Sequence, residues 1–237
     1  MKAYNIIIAA ITVFLAASCK VNDIALYDEE PRIEFAEGVQ CSFDDEDYLN
    51  AYILGTESYK DAEFHAQLIG YFLDSPRTFR VMSSPVENAL FTPELEFENP
   101  YDFPAGVATV VAPFRVKCPA KQDVSTVNTT RTGQVDIVYD NSSEDQQFGQ
   151  GRVENLACRV NVSLQIYPSD WNSQFWGAYS TAKYFLIMET FGKVHGDIEQ
   201  TTDTKLEIRA AYNAYKAEYG ALYGDDNDSD TEIVFPN

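Results

Sequence analysis

The sequence is poor in histidine and in positive charge. Among its 237 residues, only His65 and His195 are histidines, which excludes a multi-histidine metal site. Lys and Arg total 17 against 37 Asp and Glu, so the formal net charge is −20 at pH 7. The phosphates of nucleic acid and the headgroups of anionic lipid would repel such a chain. We therefore expect no nucleic-acid partner and no electrostatic docking on lipid.

Recognisable catalytic motifs are also absent. The sequence has no Gly-x-Ser-x-Gly, no glycine-rich phosphate loop and no His-Glu-x-x-His. His65 falls within a strand pattern, and His195 falls in a glycine-flanked turn, each without a nucleophile motif beside it. Paired carboxylates are frequent, but 37 acidic residues make their pairing uninformative. We predict that the protein is not an enzyme and has no catalytic residues; a hydrolase is the least favoured alternative.

Long hydrophobic runs are absent after the first 19 residues. Lys2 precedes the apolar run 6–17, which is too short to span a bilayer and is typical of a signal peptide. The run ends in Leu15-Ala16-Ala17-Ser18-Cys19, a lipobox. We predict that residues 1–18 are removed and that Cys19 is acylated, which anchors the chain at about 0.8 kcal/mol per buried CH₂. The alternative is an ordinary secretory signal with an incidental cysteine.

Cysteine is scarce in the remaining chain. Cys41, Cys118 and Cys158 are an odd number and match no zinc spacing. One disulfide with one free thiol is compatible with this count, as are three buried thiols. We favour three core thiols, because free cysteine is among the most buried residue types.

Alternating apolar and polar residues dominate the middle of the chain. Along 156–167, the six even-numbered positions from Leu156 to Ile166 are all apolar, and polar side chains alternate with them. This alternation predicts a half-buried antiparallel strand. Similar patterns predict strands at 31–35, 63–73, 78–83, 106–117 and 134–139.

The last quarter of the sequence has helical spacing. Ser180 can cap a helix through Phe191, although a strand fits there nearly as well. A firmer helix is predicted at 203–222, capped by Thr202 or Asp203 and stopped near Gly220, followed by a terminal strand at 232–235. A polar break at 119–131 suggests a domain boundary. We predict a mainly β protein: a tether at 19–30, a β-sandwich at 31–118, and a mixed β domain with one or two helices at 119–237.

An acidic run near the end of the chain is the candidate metal site. Asp226, Asp228 and Asp230 have the spacing of the first three ligands of an EF-hand loop. Thr231 stands where that loop needs glycine, and the glutamate at position twelve is missing. A solvated turn is the simpler interpretation, as it is for the second run at 44–47. We predict that the protein has no cofactor. The alternative is a calcium ion bound by these three aspartates.

Four aromatic residues within 171–179 form the candidate binding site. Such a group can stack on sugar rings or anchor a partner protein. We expect Trp171 and Tyr179 to pin this loop onto the core, and Phe175 and Trp176 to be exposed and to bind a ligand or partner.

Short pieces along the whole mature chain resemble a Bacteroidetes lipoprotein family known as "domain of unknown function 4843". Each piece is weak alone, and their order behind a lipobox carries the resemblance. In chain order they are Tyr27-Asp28-Glu29-Glu30, Ile33-Glu34-Phe35, Ser42-Phe43, Arg77-Thr78-Phe79-Arg80-Val81, Tyr101, Phe103-Pro104-Ala105-Gly106, Phe148-Gly149, Pro168-Ser169-Asp170-Trp171, Gly177-Ala178-Tyr179-Ser180-Thr181-Ala182-Lys183-Tyr184 and Ile233-Val234-Phe235-Pro236.

The resemblance implies a fold and a cellular role. Its first half implies an immunoglobulin-like sandwich of the Calx-beta kind. Its usual setting implies a non-catalytic accessory lipoprotein of the outer membrane and cell surface, working in nutrient uptake with a TonB-dependent transporter and its lipoprotein lid to capture glycan or peptide. The family supplies no catalytic residues. The alternative is a free-standing surface adhesin or structural sandwich protein. Lys20-Val21-Asn22-Asp23 is only weakly acidic, so the periplasmic face of the membrane also stays open.

Overall fold

Strands provide most of the regular structure. The computed structural model describes residues 30–126, 129–142, 146–224 and 231–237. Within these ranges the chain forms twelve strands: β1 (Arg32–Phe35), β2 (Val39–Phe43), β3 (Tyr59–Ile69), β4 (Arg77–Phe79), β5 (Val81–Pro85), β6 (Leu95–Phe97), β7 (Tyr101–Phe103), β8 (Thr109–Lys117), β9 (Val124–Ser125), β10 (Gly133–Tyr139), β11 (Gly149–Gln150) and β12 (Ala157–Gln165).

The strands assemble into two main sheets and a two-stranded ribbon. The first sheet has the order β11-β1-β3-β8-β6. The second has the order β2-β12-β10-β5, with β9 paired to the end of β12. Strand β12 runs antiparallel to β10, as its alternation predicts, but parallel to β2. Strands β4 and β7 form the ribbon.

The two sheets pack face to face around one core. Phe64 and Phe114 of the first sheet share a buried cluster with Ile137, Val160 and Leu164 of the second. This arrangement is a β-sandwich, in which the inward side chains of both sheets interdigitate. The mainly β fold class predicted from alternation is therefore confirmed.

The sandwich does not divide at the predicted boundary between residues 118 and 119. Strands β10 and β12 lie after that boundary, yet they pair with β5 and β2 from before it. Residues Pro31–Asn237 accordingly form one unit. Alternation identifies strands without identifying their partners, so the polar stretch after Lys117 resembled a linker although it connects the two sheets.

Most predicted strands form near their predicted positions. The strand predicted at 78–83 is instead two strands, because the Asn99 side chain takes both backbone hydrogen bonds of Val81, where the second strand begins. The Asn99 Oδ1 accepts from the Val81 N–H at 2.9 Å, and the Asn99 Nδ2 donates to the Val81 carbonyl at 2.8 Å. The terminal strand predicted at 232–235 is wrong: within the described residues that segment makes only one bridge, between Tyr223 and Glu232.

Helices gather at one end of the sandwich. They are α1 (Asp45–Tyr48), a π-helical turn (Leu49–Leu54), α2 (Ser173–Trp176), α3 (Thr181–Phe191) and α4 (Thr202–Tyr219). Ser180 caps α3 as predicted, whereas Thr201 rather than Thr202 or Asp203 caps α4. We call these helices, with residues 231–237, the helical cap. Tyr48 of α1 and Phe185 of α3 are in ring contact at 4.7 Å, and both belong to the buried cluster of the sandwich, which joins the cap to the sandwich core.

The helical cap lies at the opposite end of the sandwich from Pro31. Strand β1 begins at Arg32, which pairs with Ile69 at the end of β3. Strand β2 leads into α1 from Phe43, which pairs with Leu164 near the end of β12. Since β3 has 11 residues, the two ends are about 35 Å apart at about 3.3 Å per residue.

The three cysteines are free and buried, which confirms the prediction of core thiols. Burial raises the pKa of the Cys118 thiol to about 12 and that of Cys158 to about 11. These thiols are therefore protonated and act as small apolar side chains at neutral pH.

A buried carboxylate on β1 is neutralised from the neighbouring loop. Glu34 is 1% exposed and accepts two hydrogen bonds from the Arg152 guanidinium, one of them from Nε at 2.9 Å. A Cβ at Gly151 would lie 2.5 Å from the Glu34 Cβ, so glycine permits this close approach. The Arg152 hydrogen bonds lower the pKa of Glu34.

We predict that Arg152→Gln destabilises the protein at neutral pH more than Arg159→Gln does, because it leaves the buried Glu34 carboxylate without its counter-charge. Because the folded pKa of Glu34 lies below the unfolded value, the stabilisation is present above the unfolded pKa and is lost as pH falls through the folded pKa. Urea unfolding at several pH values measures both effects. Arg159→Gln, which removes a more exposed ion pair with Asp136, should cost about 1 kcal/mol or less. Equal losses in the two variants would contradict the prediction.

Candidate functional site

Trp176 is buried, contrary to the prediction that it is exposed. Its side chain is 0% exposed in a second core formed by α2, α3, α4 and the segment 231–237. The cause is local. The Asn172 side chain caps α2 by accepting from the N–H groups of Gln174 and Phe175, and one helical turn then directs residue 176 to the same side as residue 172. Phe175, the other predicted binding residue, is half-buried at the surface.

Trp171 and Tyr179 pin the loop, as the sequence analysis expects. The Trp171 indole N–H donates to the Gly177 carbonyl at 2.8 Å, and the Tyr179 hydroxyl donates to the Ile166 carbonyl. The Trp171 ring also packs against both cores. Both aromatic residues therefore stabilise the cap, and Tyr179 also lines one of its cavities.

His195 lies inside the cap among aromatic rings. It is 3% exposed and stacks on Trp171 with ring centroids 5.3 Å apart. Its Nδ1 lies 3.4 Å from an Asp170 carboxylate oxygen, and neither ring nitrogen has a hydrogen-bond partner in the described residues. The Tyr184 hydroxyl accepts from the His195 backbone N–H at 3.0 Å and donates to Asp45 at 2.5 Å. The arrangement packs and orients rings rather than placing a base beside a nucleophile.

A buried lysine that the sequence analysis missed joins the cap to the C-terminal segment. The Lys183 side chain is almost fully buried, and its ammonium donates to the carbonyls of Trp176 at 3.2 Å, Ala178 at 2.7 Å and Val234 at 2.9 Å. It also lies 5.3 Å from the Phe235 ring centroid. Burial lowers the pKa of Lys183 to about 8. A sequence signal existed, because Lys183 is four residues before Ile187 on the apolar stripe of α3.

Three surface cavities lie on the cap, and the smallest of them, about 220 Å³, lies between α4 and the segment 231–237. The first, about 350 Å³, separates residues 177–180 from the segment 231–236 and includes Lys183 in its wall. The second, about 270 Å³, lies beside Phe175. We call it the Phe175 cavity; it is lined by Phe175, Gln200, Thr201, Thr202, Lys205, Leu206, Arg209 and Asn237. Phe175 therefore lines a cavity, whereas the buried Trp176 ring packs edge-to-face against the Phe175 ring, with the centroids 4.6 Å apart.

Several predicted sites lie outside the described residues. These are the lipidated Cys19 and the calcium candidates Asp226, Asp228 and Asp230. Within the described residues, no group of three or more His, Cys, Asp or Glu side chains is arranged to hold a metal ion. The acidic run at 44–47 has a structural role, because Asp44 and Asp47 form a reciprocal capping box on α1. Among the described helices, none has the length and apolar character needed to cross a membrane.

Comparison with known proteins identifies distant structural likenesses only. No family model and no curated protein sequence matches the chain. An apo-form Calx CBD1 domain is 14% identical, with a TM-score of 0.35, over 57% of this chain and 98% of its own. A two-domain protein of unknown function from Bacteroides fragilis is 10% identical, with a TM-score of 0.36, over 57% of this chain and 46% of its own. The SrpA adhesin from Streptococcus sanguinis is 9% identical, with a TM-score of 0.32, over 84% of this chain and 85% of its own. These likenesses are too distant to assign a function or a family.

We predict that Trp176→Ala destabilises the protein by about 3–5 kcal/mol, because it leaves a large cavity in the cap core. Thermal or urea unfolding measures the loss. Tyr219→Ala is the matched control, since that ring is 68% exposed and its removal should change stability by less than about 1 kcal/mol. A Trp176→Ala protein as stable as the control would show that the indole is not part of the core.

We predict that Lys183→Met lowers stability by about 1–3 kcal/mol at neutral pH, because three carbonyls lose a donor. The loss should grow with pH above about 8. There the folded protein releases the Lys183 proton while the unfolded chain, with a pKa of about 10.4, still holds it, so wild-type stability rises relative to the variant. Buried thiols titrate nearby in both proteins, so the difference between two urea-unfolding series isolates Lys183. Parallel pH profiles would contradict the prediction.

Proposed function

We propose that the protein is an outer-membrane lipoprotein, anchored through Cys19, that acts as a non-catalytic accessory component of TonB-dependent uptake of glycan or peptide. The helical cap is its binding end. The lipobox supports the anchor, and the resemblance to the lipoprotein family supports the uptake role.

The observation that carries this proposal is the position of the helical cap. The chain enters the sandwich at Pro31, only 12 residues after Cys19, and the cap with its three cavities lies at the opposite end. A sandwich anchored at one end and carrying its cavities at the other can present them about 35 Å further along its axis.

The chemistry of the cap favours binding over catalysis. Its buried titratable groups, Lys183, Tyr184 and His195, are held by backbone carbonyls, a carboxylate and aromatic rings. Burial also raises the pKa of Tyr184, which keeps its hydroxyl protonated. None of these groups activates a neighbouring nucleophile in the described residues, which supports the cavities as contact surfaces for a ligand or partner.

The test is co-purification of the tagged full-length protein from its native outer membrane in mild detergent, followed by mass spectrometry. We predict that wild-type protein carries acyl chains on Cys19 and brings down a TonB-dependent transporter and its lipoprotein lid in stoichiometric amounts. Cys19→Ala should lose the acyl mass, the membrane fraction and both partners. Acylated protein recovered alone would overturn the uptake role and favour a free-standing adhesin. Absence of acylation would overturn the anchor itself.

A further inference from the structure

We propose that the Phe175 cavity binds the carboxylate of an acidic sugar residue, a hexuronic acid, with Arg209 as the principal contact. This assignment rests on the proposed role in ligand capture and supplies the chemical class of its ligand. It follows from the charge, the free donors and the construction of the cavity.

The Phe175 cavity has the opposite charge from the protein as a whole. Among the described residues it is lined by Lys205 and Arg209 and by no Asp or Glu side chain, although acids outnumber bases by 37 to 17 in the chain. Four other cavities in the described residues each include an acidic side chain, such as Glu232, Asp47 or Glu94. A cationic cavity on a protein of net charge −20 selects locally for an anionic group that the remaining surface repels.

Arg209 is available to meet that anion. In the described parts of the chain, its guanidinium has no ion-pair or hydrogen-bond partner. Glu232, which lines an adjoining cavity with Arg209, is already held by Lys216 at 2.5 Å and by the Tyr212 hydroxyl at 2.6 Å, and these bonds lower the pKa of Glu232. An unpaired guanidinium fits a carboxylate through two parallel N–H donors.

Lys205 forms the second positive group but is partly engaged. Its ammonium lies 5.0 Å from the Phe175 ring centroid and 3.4 Å from the Asn237 backbone oxygen. The long, weak contact to Asn237 leaves donors for a ligand. Thr201 and Thr202 at the start of the 18-residue helix α4 place the positive end of its dipole at the same cavity.

The remaining lining suits a sugar ring. The Asn172 amide donates to the Gln200 side-chain oxygen, which leaves the Gln200 amide N–H groups as donors at the cavity. Thr202 adds a hydroxyl group, and Phe175 adds an aromatic surface. Neutral donors and acceptors around one aromatic ring match the hydroxyls and apolar C–H face of a pyranose.

A peptide ligand fits the Phe175 cavity less well. The lining comes from α2, α4 and loops, and it includes no strand. An extended peptide would therefore find no sheet edge to pair with its main chain, the contact on which strand-adding peptide recognition depends. The cavity is also smaller than most drug-sized sites, which suits one sugar residue at a time.

The test is calorimetric titration of the purified full-length protein with a galacturonate trisaccharide and with its methyl ester, which keeps the ring skeleton but lacks the charge. We expect the acid to bind at least about tenfold more tightly than the ester, and Arg209→Gln to lose about tenfold or more of that affinity. Arg209→Lys should retain part of it. Lys193→Gln removes an exposed cation of the same cap outside this cavity and should bind like wild type. Melting temperatures of all variants confirm folding.

Three results would overturn the assignment. Equal binding of acid and ester would exclude carboxylate recognition, and unchanged affinity in Arg209→Gln would move any site elsewhere. An acidic peptide of the same charge that binds as tightly as the trisaccharide would exclude a sugar-specific cavity. If the trisaccharide does not bind but the transporter and lid co-purify, the assignment of the ligand class is wrong and the uptake role stands. If the trisaccharide binds but neither partner co-purifies, the uptake role is wrong and the sugar site stands.

Discussion

The buried ammonium of Lys183 is the interaction on which the architecture of the cap depends. A charge inside a protein is costly unless polar groups replace its water. Here the replacement is a set of three backbone carbonyls, two from residues 176–178 and one from Val234. This interaction fastens the C-terminal segment against the loop that carries Trp176. Asn237, at the end of that segment, then helps to line the Phe175 cavity.

The sandwich separates the cap from the Pro31 end of the protein and holds it in a fixed position. Strand β12 lies in the middle of the second sheet, parallel to β2 and antiparallel to β10, and both β2 and β12 lead into the cap. Their buried side chains join the cap to the core through Tyr48 and Phe185. Packed strands therefore connect the Pro31 end of the sandwich with the cap, which fixes the direction in which the cavities face relative to Pro31.

Local patterns predicted the elements of this structure better than their assembly. Alternation located β10 and β12 and helical spacing located α3 and α4, because each signal is set by neighbouring residues. The single unit across residue 118 depends on pairing between distant strands, which no local pattern encodes. At the candidate site, Trp176 was predicted to be exposed because composition does not reveal which side of a four-residue helix faces the core. Phe175, also predicted to be exposed, is half-buried against the cap core, and its predicted binding role stays a prediction. Lys183 and Arg209 were missed, because the burial of the first and the lack of a partner for the second among the described residues depend on tertiary structure.

Hydrogen–deuterium exchange of the full-length protein with and without a galacturonate oligosaccharide would show which end of the sandwich binds the ligand. We predict slower exchange in peptides covering residues 172–177 and 199–210, with residues 70–76 at the opposite end unchanged. Protection confined to residues 70–76 and their neighbours would contradict the claim that the helical cap is the binding end.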